Sequence, residues 1–548
     1  MTVLNAIKNK TLTGAQIITE TLKALDVDCV FGYPGGVVLG LYDALYNDNA
    51  IKHYLVRHEQ AAVHAAEGFS RVTGKCGVVI VTSGPGAANI VSAVSNAYMD
   101  GYPVLVLTGQ VAKYKIGTDA FQEINIVDIT KSCTKAGFQV VDVNDIEATL
   151  IKAYNCAMEG KKGPVVVDLS QNIFNEKCMY KGNVQISKPK TELIGDSIKG
   201  ILEVVQKSEA PVVVVGGGVQ HSKAFKELYT FAKTLNIPVV STMMGIGCYP
   251  QEEDNFFGMI GLFGTAAANC VVKNSDLIIS LGARFNDRIT ACFKNGELTR
   301  KLIQIDINEK EISRIIPAYK YAIGDIREFL IQANRILTMQ NYKSSHEDWL
   351  MNVQKYRALN RVNKPISDNL QGYEVIQEIY DFAKGKNYVV STEVGQHQML
   401  TVQNYKISTK DKFLTSGGSG TMGFGFPAAI GASIATDYSP VICIAGDGSF
   451  QMNEQELATC VDYNIPVKIF IMNNGYLGMV RQIQQGGYGK RYFQTKISNP
   501  DYIKLAQAYG IKAERVDCKK DIRKALVNAF SVNEPYIIDF IIEPFETV

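Results

Sequence analysis

The chain has 548 residues, 46% hydrophobic and 20% charged, an ordinary globular composition too long for one core, and three domains is the expected division. A formal net charge of +2 gives no reason to expect nucleic acid or an anionic membrane as partner. The start MTVLNAIKNK lacks a signal-peptide core, no apolar run reaches membrane-spanning length, and the eleven cysteines are scattered without CxxC pairs or zinc spacing, so reduced core thiols in a cytoplasmic protein are expected.

Short Val/Ile-rich runs alternate with longer helical patterns along the chain. Predicted strands, in order, are Val78–Thr82, Val104–Thr108, Val165–Leu169, Val212–Val215, Leu277–Leu281, Leu302–Ile307, Val441–Ala445 and Val467–Met472. Their continuous apolar character implies burial on both faces, hence an α/β chain of three doubly wound parallel-sheet domains covered by helices. Two polar stretches, Lys181–Glu192 and about 341–368, read as linkers and divide the chain into 1–185, 192–340 and 369–548.

The motifs lie at strand ends. Phe31-Gly32-Tyr33-Pro34-Gly35-Gly36 fits a tight strand-to-helix turn, and Arg57-His58-Glu59 opens an alanine-rich helix. A Glu in a first turn is ordinarily a favourable dipole partner. Val212–Val215 runs into Gly216-Gly217-Gly218, a weak dinucleotide signal by itself. Gly446-Asp447-Gly448-Ser449 ends one apolar run and Asn473-Asn474 ends the next. Ligands bind at strand ends in parallel sheets. Asp447 and Asn474 offer the hard oxygen ligands that Mg²⁺ prefers, and the glycines let backbone N–H groups approach an anion. The pair of motifs, with a helix-like segment between them, looks like the thiamine diphosphate (ThDP) fingerprint.

The segments FGYPGG, RHEQAAVHAAEGFSR, TSGPGAAN, GTDAFQE, GARFNDR, VGQHQM, SGGSGTMGFGFPAAIGA, GDGSF and LGMVRQ, in order along nearly the whole chain, resemble the acetohydroxyacid synthase (acetolactate synthase) catalytic subunits. The resemblance implies a pyrimidine-binding first domain, a central FAD-type domain and a diphosphate-binding third domain. It makes Glu59 the acid that hydrogen-bonds N1′ of the ThDP pyrimidine, a role for which a desolvated carboxyl is suited. It puts Gly36 and Gln122 at the reacting carbon as oxyanion donors. It lays Gly395, Gln396, His397, Gly448 and Ser449 against the diphosphate, and completes the Mg²⁺ shell of Asp447 and Asn474 with the Tyr476 carbonyl. Met422 would prop the bent cofactor, the Gly420 carbonyl would receive its 4′-amino group, and Met479 would border it. Phe121, Arg288, Val480 and Ile483 would line the substrate. FAD, in a structural role, would rest on Gly216, Gly217, Gly218, Thr242, Met243, Arg284, Asp306 and Asp325. The likeness also implies a homodimer or homotetramer with Glu59 and Asp447 of one site from different subunits, and, as in many members, a separate regulatory subunit.

The chain departs from the family around the acceptor. The tryptophan that follows LGMVRQ is Ile483 here, the one after GQHQM is Leu400, the lysine of DLPKD is Gln171, and the first aspartate of RFDDR is Asn286. The sole tryptophan, Trp349, lies in the second linker. Gly160-Lys161-Lys162-Gly163-Pro164 stands where the family has an arginine that touches FAD, and lysine lacks the planar guanidinium. The expected activity is transfer of the two-carbon unit of pyruvate to a second 2-ketoacid. Transfer to another ketone, such as a keto-sugar, and simple decarboxylation stay open.

Overall fold

A computed structural model describes residues 8–187, 192–291, 300–360, 364–408 and 412–548. They form two compact units, one made of Met1–Lys188, Tyr388–Gln398 and Leu414–Phe545, the other of Pro189–Asn387, Met399–Phe413 and Glu546–Val548.

The first unit holds two six-stranded sheets. Across one, the strands run Lys52–Leu55, Cys29–Tyr33, Gly77–Val81, Val104–Gln110, Val165–Ser170 and Ala136–Val140, all parallel. Across the other they run Lys412–Leu414, Val389–Thr392, Val441–Gly446, Val467–Asn473, Tyr536–Ile541 and Lys512–Val516, the last five pairing in parallel. The two sheets share one topology. In each, the second strand in sequence lies outside the first, the third lies on the first strand's other side, and the last two are exchanged. Strand order therefore reverses between the first and third strands, the place where doubly wound sheets bind ligands.

One helix from each half joins them. Glu59–Thr73 packs along Gly425–Ala435, both nearly buried throughout. The alanine-rich sequences are what this crossing requires: a Cβ on Gly68 would overlap the Ala428 carbonyl, and one on Gly431 the Ala65 carbonyl. Backbone meets backbone, and one apolar core runs through Val79, Ala65, Ala428 and Val441.

At the C-terminal end of that first helix, Arg71 is buried with its guanidinium 2.5 Å from Glu67 and 2.6 Å from Asp100. It also donates to the Thr415 carbonyl at 2.9 Å. Asp100 accepts the Gly418 N–H at 2.7 Å, and Asn96 accepts the Ser416 hydroxyl at 2.5 Å. The cluster thus grips the segment 415–418 that leads to Gly420 and Met422.

The second unit carries a seven-stranded sheet: Phe256–Met259, Val239–Ser241, Pro211–Val215, Leu277–Leu281, Lys301–Asp306 and Lys320–Ile323 in parallel, and Ile194–Gly195 antiparallel at the edge. Its order reverses between Pro211–Val215 and Leu277–Leu281. Every predicted strand is present, with ends shifted by a residue or two. The second stretch expected as linker is in part ordered structure. It contains the helix Glu347–Val353 and a 3₁₀ turn Gln354–Leu359, with Val353 in an apolar core and the Trp349 indole donating to the Pro211 carbonyl at 3.0 Å. Residues 361–363 of that stretch and 188–191 of the other lie outside the described residues.

Candidate active site

The sheet containing Val389–Thr392 and Val441–Gly446 gathers most of the predicted cofactor residues at its reversal point. Gly446-Asp447 ends one strand, and Asp447 starts a short helical turn. Its carboxylate accepts the Gly475 N–H at 2.8 Å, its own neighbour Gly448 at 3.1 Å and the Asn499 amide at 2.7 Å. Burial pushes the Asp447 pKa up to about 6, against those donors. Asn474, on the next strand end, accepts the Tyr476 N–H at 2.9 Å and donates to Gln396 at 3.3 Å. Asp447, Asn474 and Tyr476, the three residues that the resemblance names for Mg²⁺, are thus brought close together. Among the described residues no cluster of three His, Cys, Asp or Glu side chains is positioned for a metal. One carboxylate, one amide oxygen and one backbone carbonyl, leaving other positions for phosphate oxygens or water, is a donor set suited to Mg²⁺ and ill suited to zinc.

Gly395 adopts φ +152°, and a Cβ there would meet the His397 ring. The His397 imidazole lies so close to Gly446 that a Cβ would strike it; burial pushes its pKa down to about 4. Gln396 also donates to Gln482 at 2.8 Å, which ties the VGQHQM turn to the helix Gly478–Gly487. Gly420 is left-handed at φ +66°, and Met422 is half-buried beside it. On the helix Gly478–Gly487, Met479 is half-buried while Val480 and Ile483, one turn apart, are 47% and 51% exposed.

A second cluster forms at the reversal point of the first sheet. Glu59 opens its helix behind His58, whose ring caps the Gln60 N–H at 3.1 Å. The Glu59 carboxylate accepts the Asn89 amide at 2.9 Å, and a Cβ on Gly86 would come within 3.2 Å of it. Gly35 and Gly86 both press against Thr82, and Gly84 against Gln122. Gln122 is a non-glycine residue at φ +63°, the kind of backbone strain that persists only where the surroundings impose it. A Cβ on Gly36 would meet nothing within 4 Å, so no packing contact among the described residues requires glycine there. Phe121 is 89% exposed. Glu59 makes no hydrogen bond to any residue of the Asp447 cluster.

The residues predicted for FAD line the C-terminal strand ends of the central sheet. Gly216 and Gly218 pack against Gly282, so their missing side chains are needed for the turn itself. Thr242 N–H donates to the Val215 carbonyl at 2.8 Å, and Met243 follows in a 3₁₀ turn. The Ser241 hydroxyl is buried without a hydrogen-bond partner. Asp306 accepts the Asn308 N–H at 2.8 Å, and Asp325 caps the helix Ile326–Met339 through Arg327 and Glu328. Arg284 is half-buried; Arg288 is exposed, 3.8 Å from Asp287. Lys161, in the departing Gly-Lys-Lys-Gly-Pro segment, lies over the Tyr98 ring at 4.9 Å.

Three site residues had no signal in the sequence. Asn89 holds the Glu59 carboxylate, Asn499 holds Asp447, and Glu393, fully buried, bonds Gly423, Phe426 and Ser449. Asn89 closes the TSGPGAAN segment, but nothing in that segment marks it as a partner of Glu59, and Glu393 and Asn499 lie outside the quoted motifs.

Comparison with known proteins agrees with this layout. The thiamine pyrophosphate enzyme domains match in order: the N-terminal TPP binding domain over residues 12–129, the central domain over 198–333 and the C-terminal TPP binding domain over 393–540. Among relatives, a probable acetolactate synthase large subunit of Methanocaldococcus jannaschii is 40% identical, covering 98% of this chain and 93% of its own. The acetolactate synthase large subunit of Haemophilus influenzae is 38% identical over 98% of this chain and 96% of its own. The isozyme 3 large subunit of Escherichia coli is 40% identical over 91% and 89%.

Proposed function

The chain belongs to the thiamine pyrophosphate enzymes, alongside the acetolactate synthase large subunits, and on that premise we propose that it joins the two-carbon unit of pyruvate to a second 2-ketoacid, with pyruvate itself as the main acceptor. The observation that carries the reading is the convergence of the two fingerprint strand ends, with the Gly475 N–H on the Asp447 carboxylate at 2.8 Å. When bound, ThDP supplies the carbon nucleophile that takes up pyruvate and stabilises the charge left by loss of CO₂.

The residues divide the work. Asp447, Asn474 and the Tyr476 carbonyl would hold Mg²⁺, and Gly395, Gln396, His397, Gly448 and Ser449 would lie against the diphosphate. Gly420 and Met422 support the pyrimidine side. Glu59 keeps a proton at N1′, with Asn89 fixing its carboxylate. The N–H of Gly36 and the side chain of Gln122 are donors for developing negative charge on the substrate oxygen. By the resemblance to the acetohydroxyacid synthases, we assign the complete site to two copies, Glu59 from one and Asp447 from the other. A homodimer or homotetramer is the working assembly. A separate small subunit is expected beside it, because its relatives are called large subunits.

FAD fits the central sheet in topology, and the buried Ser241 hydroxyl without a partner is a donor available to a ligand. Its place there would be structural, on Gly217, Thr242, Met243, Arg284 and Asp306. Among the described residues no helix is long and apolar enough to cross a membrane, and each described cysteine is free; free thiols are compatible with the cytoplasm, the compartment we propose.

Transfer to a bulkier ketone is the second reading, favoured by the open face that Val480 and Ile483 present. Product analysis by NMR separates the two. Acetolactate formed from pyruvate alone supports the main reading. Pyruvate consumed only when a keto-sugar or other ketone is added supports the second.

A further inference from the structure

Glu393 stands at the end of the strand Val389–Thr392, and its N–H completes the ladder to the Ile444 carbonyl at 3.0 Å. Its side chain is wholly buried. One carboxylate oxygen accepts the Gly423 N–H at 2.8 Å and the Ser449 hydroxyl at 2.7 Å; the other accepts the Phe426 N–H at 2.9 Å. The Gly425 N–H also stabilises the charged form. Burial acts in the opposite direction and pushes the carboxyl upward.

Among the described residues, the hydrogen-bond partners of this carboxylate are all neutral donors. Two of the donors open the helix Gly425–Ala435, whose N-cap residue Phe424 has no capping side chain. Glu393 supplies that cap from a different strand and faces the positive end of the helix. An acceptor-only group fits here; an amide would set its own N–H₂ against N–H donors.

The three segments it joins are the ones expected to touch the cofactor. Gly395, Gln396 and His397 follow Glu393 after the single residue Val394. Gly420 and Met422 precede Gly423. Gly448 and Ser449 belong to the Gly-Asp-Gly turn. A negative charge this close to a diphosphate site opposes anion binding, so its presence calls for a compensating role.

We propose that Glu393 is a positioning residue whose carboxylate sets the diphosphate-binding turns and the Gly420–Met422 segment in register with one another, so that the cofactor is held with its thiazolium carbon poised to ionise. The inference rests on the ThDP reading of this site.

The test uses the full-length protein with Mg²⁺ and three readouts: melting of the cofactor-free protein, ThDP affinity by calorimetry, and exchange of the C2 proton of bound ThDP in D₂O followed by NMR. Glu393→Gln should weaken ThDP binding by about 10–100-fold, the range for lost supporting partners. It should slow C2 exchange in the bound fraction by a comparable factor. Glu393→Asp keeps the charge and should recover most of the exchange rate. If Glu393→Gln does not fold, the aspartate variant decides: C2 exchange in the bound fraction that is measurably slower than wild type, because the shorter side chain shifts the turns it holds, supports the proposal, and exchange at the wild-type rate overturns it. Glu393→Gln that binds and exchanges like wild type overturns it. So does a pair of variants that melt early while their bound ThDP exchanges at the wild-type rate, since packing alone predicts that result. Wild-type protein that takes up no ThDP would instead overturn the functional reading, and this proposal with it.

Discussion

The two sheets of the first unit have the same strand order and the same reversal point, yet they carry opposite chemistry. After its reversal strands, the sheet of Val441–Gly446 places an aspartate, an asparagine and a row of backbone donors. The sheet of Gly77–Val81 places glycines, Thr82 and, from beyond the edge strand Lys52–Leu55, one carboxylate held by one amide. On the proposed reading the first arrangement would hold the diphosphate and its metal, and the second would present a single carboxylate to the pyrimidine end of the cofactor. A shared backbone thus fixes where a ligand can sit, and the turn residues alone decide which end of it each half receives.

Breaking the junction between the halves should have the largest effect. Arg71→Met leaves Glu67 and Asp100 buried without their cation and releases Thr415. Removing one partner of such a cluster costs about 3–5 kcal/mol. Chemical denaturation should show that loss, and ThDP affinity should fall with it because segment 415–418 is freed. A variant as stable as wild type would show that the cluster does not join the halves.

Glu59→Gln and Asp447→Ala sharpen the contrast in function. The glutamine keeps the shape but cannot hold the proton, and kcat should fall by roughly 100-fold or more with ThDP affinity little changed. The alanine should do the reverse. Affinity for Mg²⁺ and ThDP drops, and much of the activity returns when both are supplied in excess. Swapped phenotypes, measured by calorimetry and steady-state kinetics, would reverse the assignment of the two halves.

His64 tests the junction by pH. It is fully buried, neither ring nitrogen has a hydrogen-bond partner, and its ring lies edge-on to Phe424 at 5.3 Å. Burial, with Arg71 nearby, pushes its pKa down to about 3. In the unfolded chain it titrates near 6.5. Its depressed folded value means that the unfolded state binds the proton first. Stability is therefore full above about pH 6.5 and is lost as pH falls towards 3. Between pH 6.5 and 5 the loss from this one residue is about 2 kcal/mol. His64→Leu should flatten the stability profile across that window relative to wild type; parallel profiles would show that the imidazole takes up no proton on unfolding.

The smallest effect expected is at the acceptor. Ile483 and Val480 share an exposed face, and a tryptophan there adds a flat apolar surface for an ethyl group. Ile483→Trp should raise the preference for 2-ketobutyrate over pyruvate by about 10-fold, the lower end of what one methylene is worth in a pocket. Competition between the two ketoacids, with both products quantified, reads this directly. A strong 2-ketobutyrate preference in the wild-type enzyme would remove the argument.

Much of this was legible from the chain alone where the physics is local. Central parallel strands such as Val441–Gly446 are apolar on both faces and stand out as unbroken runs. Edge strands such as Lys52–Leu55 and Lys512–Val516 are half-exposed and leave no such run. The fingerprint glycines and acids could be placed because turn chemistry is written in consecutive residues. The roles of Glu393, Asn89, Asn499 and Arg71 could not, even where the residue lies in a quoted segment, since each acts through at least one partner far away in sequence. The stretch 341–368 misled because its polar composition hides the helix that carries Trp349 and Val353. The crossing at Gly68 and Gly431 was equally hidden: a glycine within a helical pattern reads as a weakness until the second backbone is known to lie against it.

That crossing also bears on how the protein is made. The helix Glu59–Thr73 leaves the ribosome with its small, apolar face bare, and the helix that covers it, Gly425–Ala435, arrives only after the whole central sheet has been synthesised. At about 5–20 residues per second, the wait is on the order of tens of seconds. During that interval the nascent first half is complete in its strands but unfinished at its surface. A translation product stopped before Gly425 would keep that face uncovered, as a site for chaperones or for other unfinished copies.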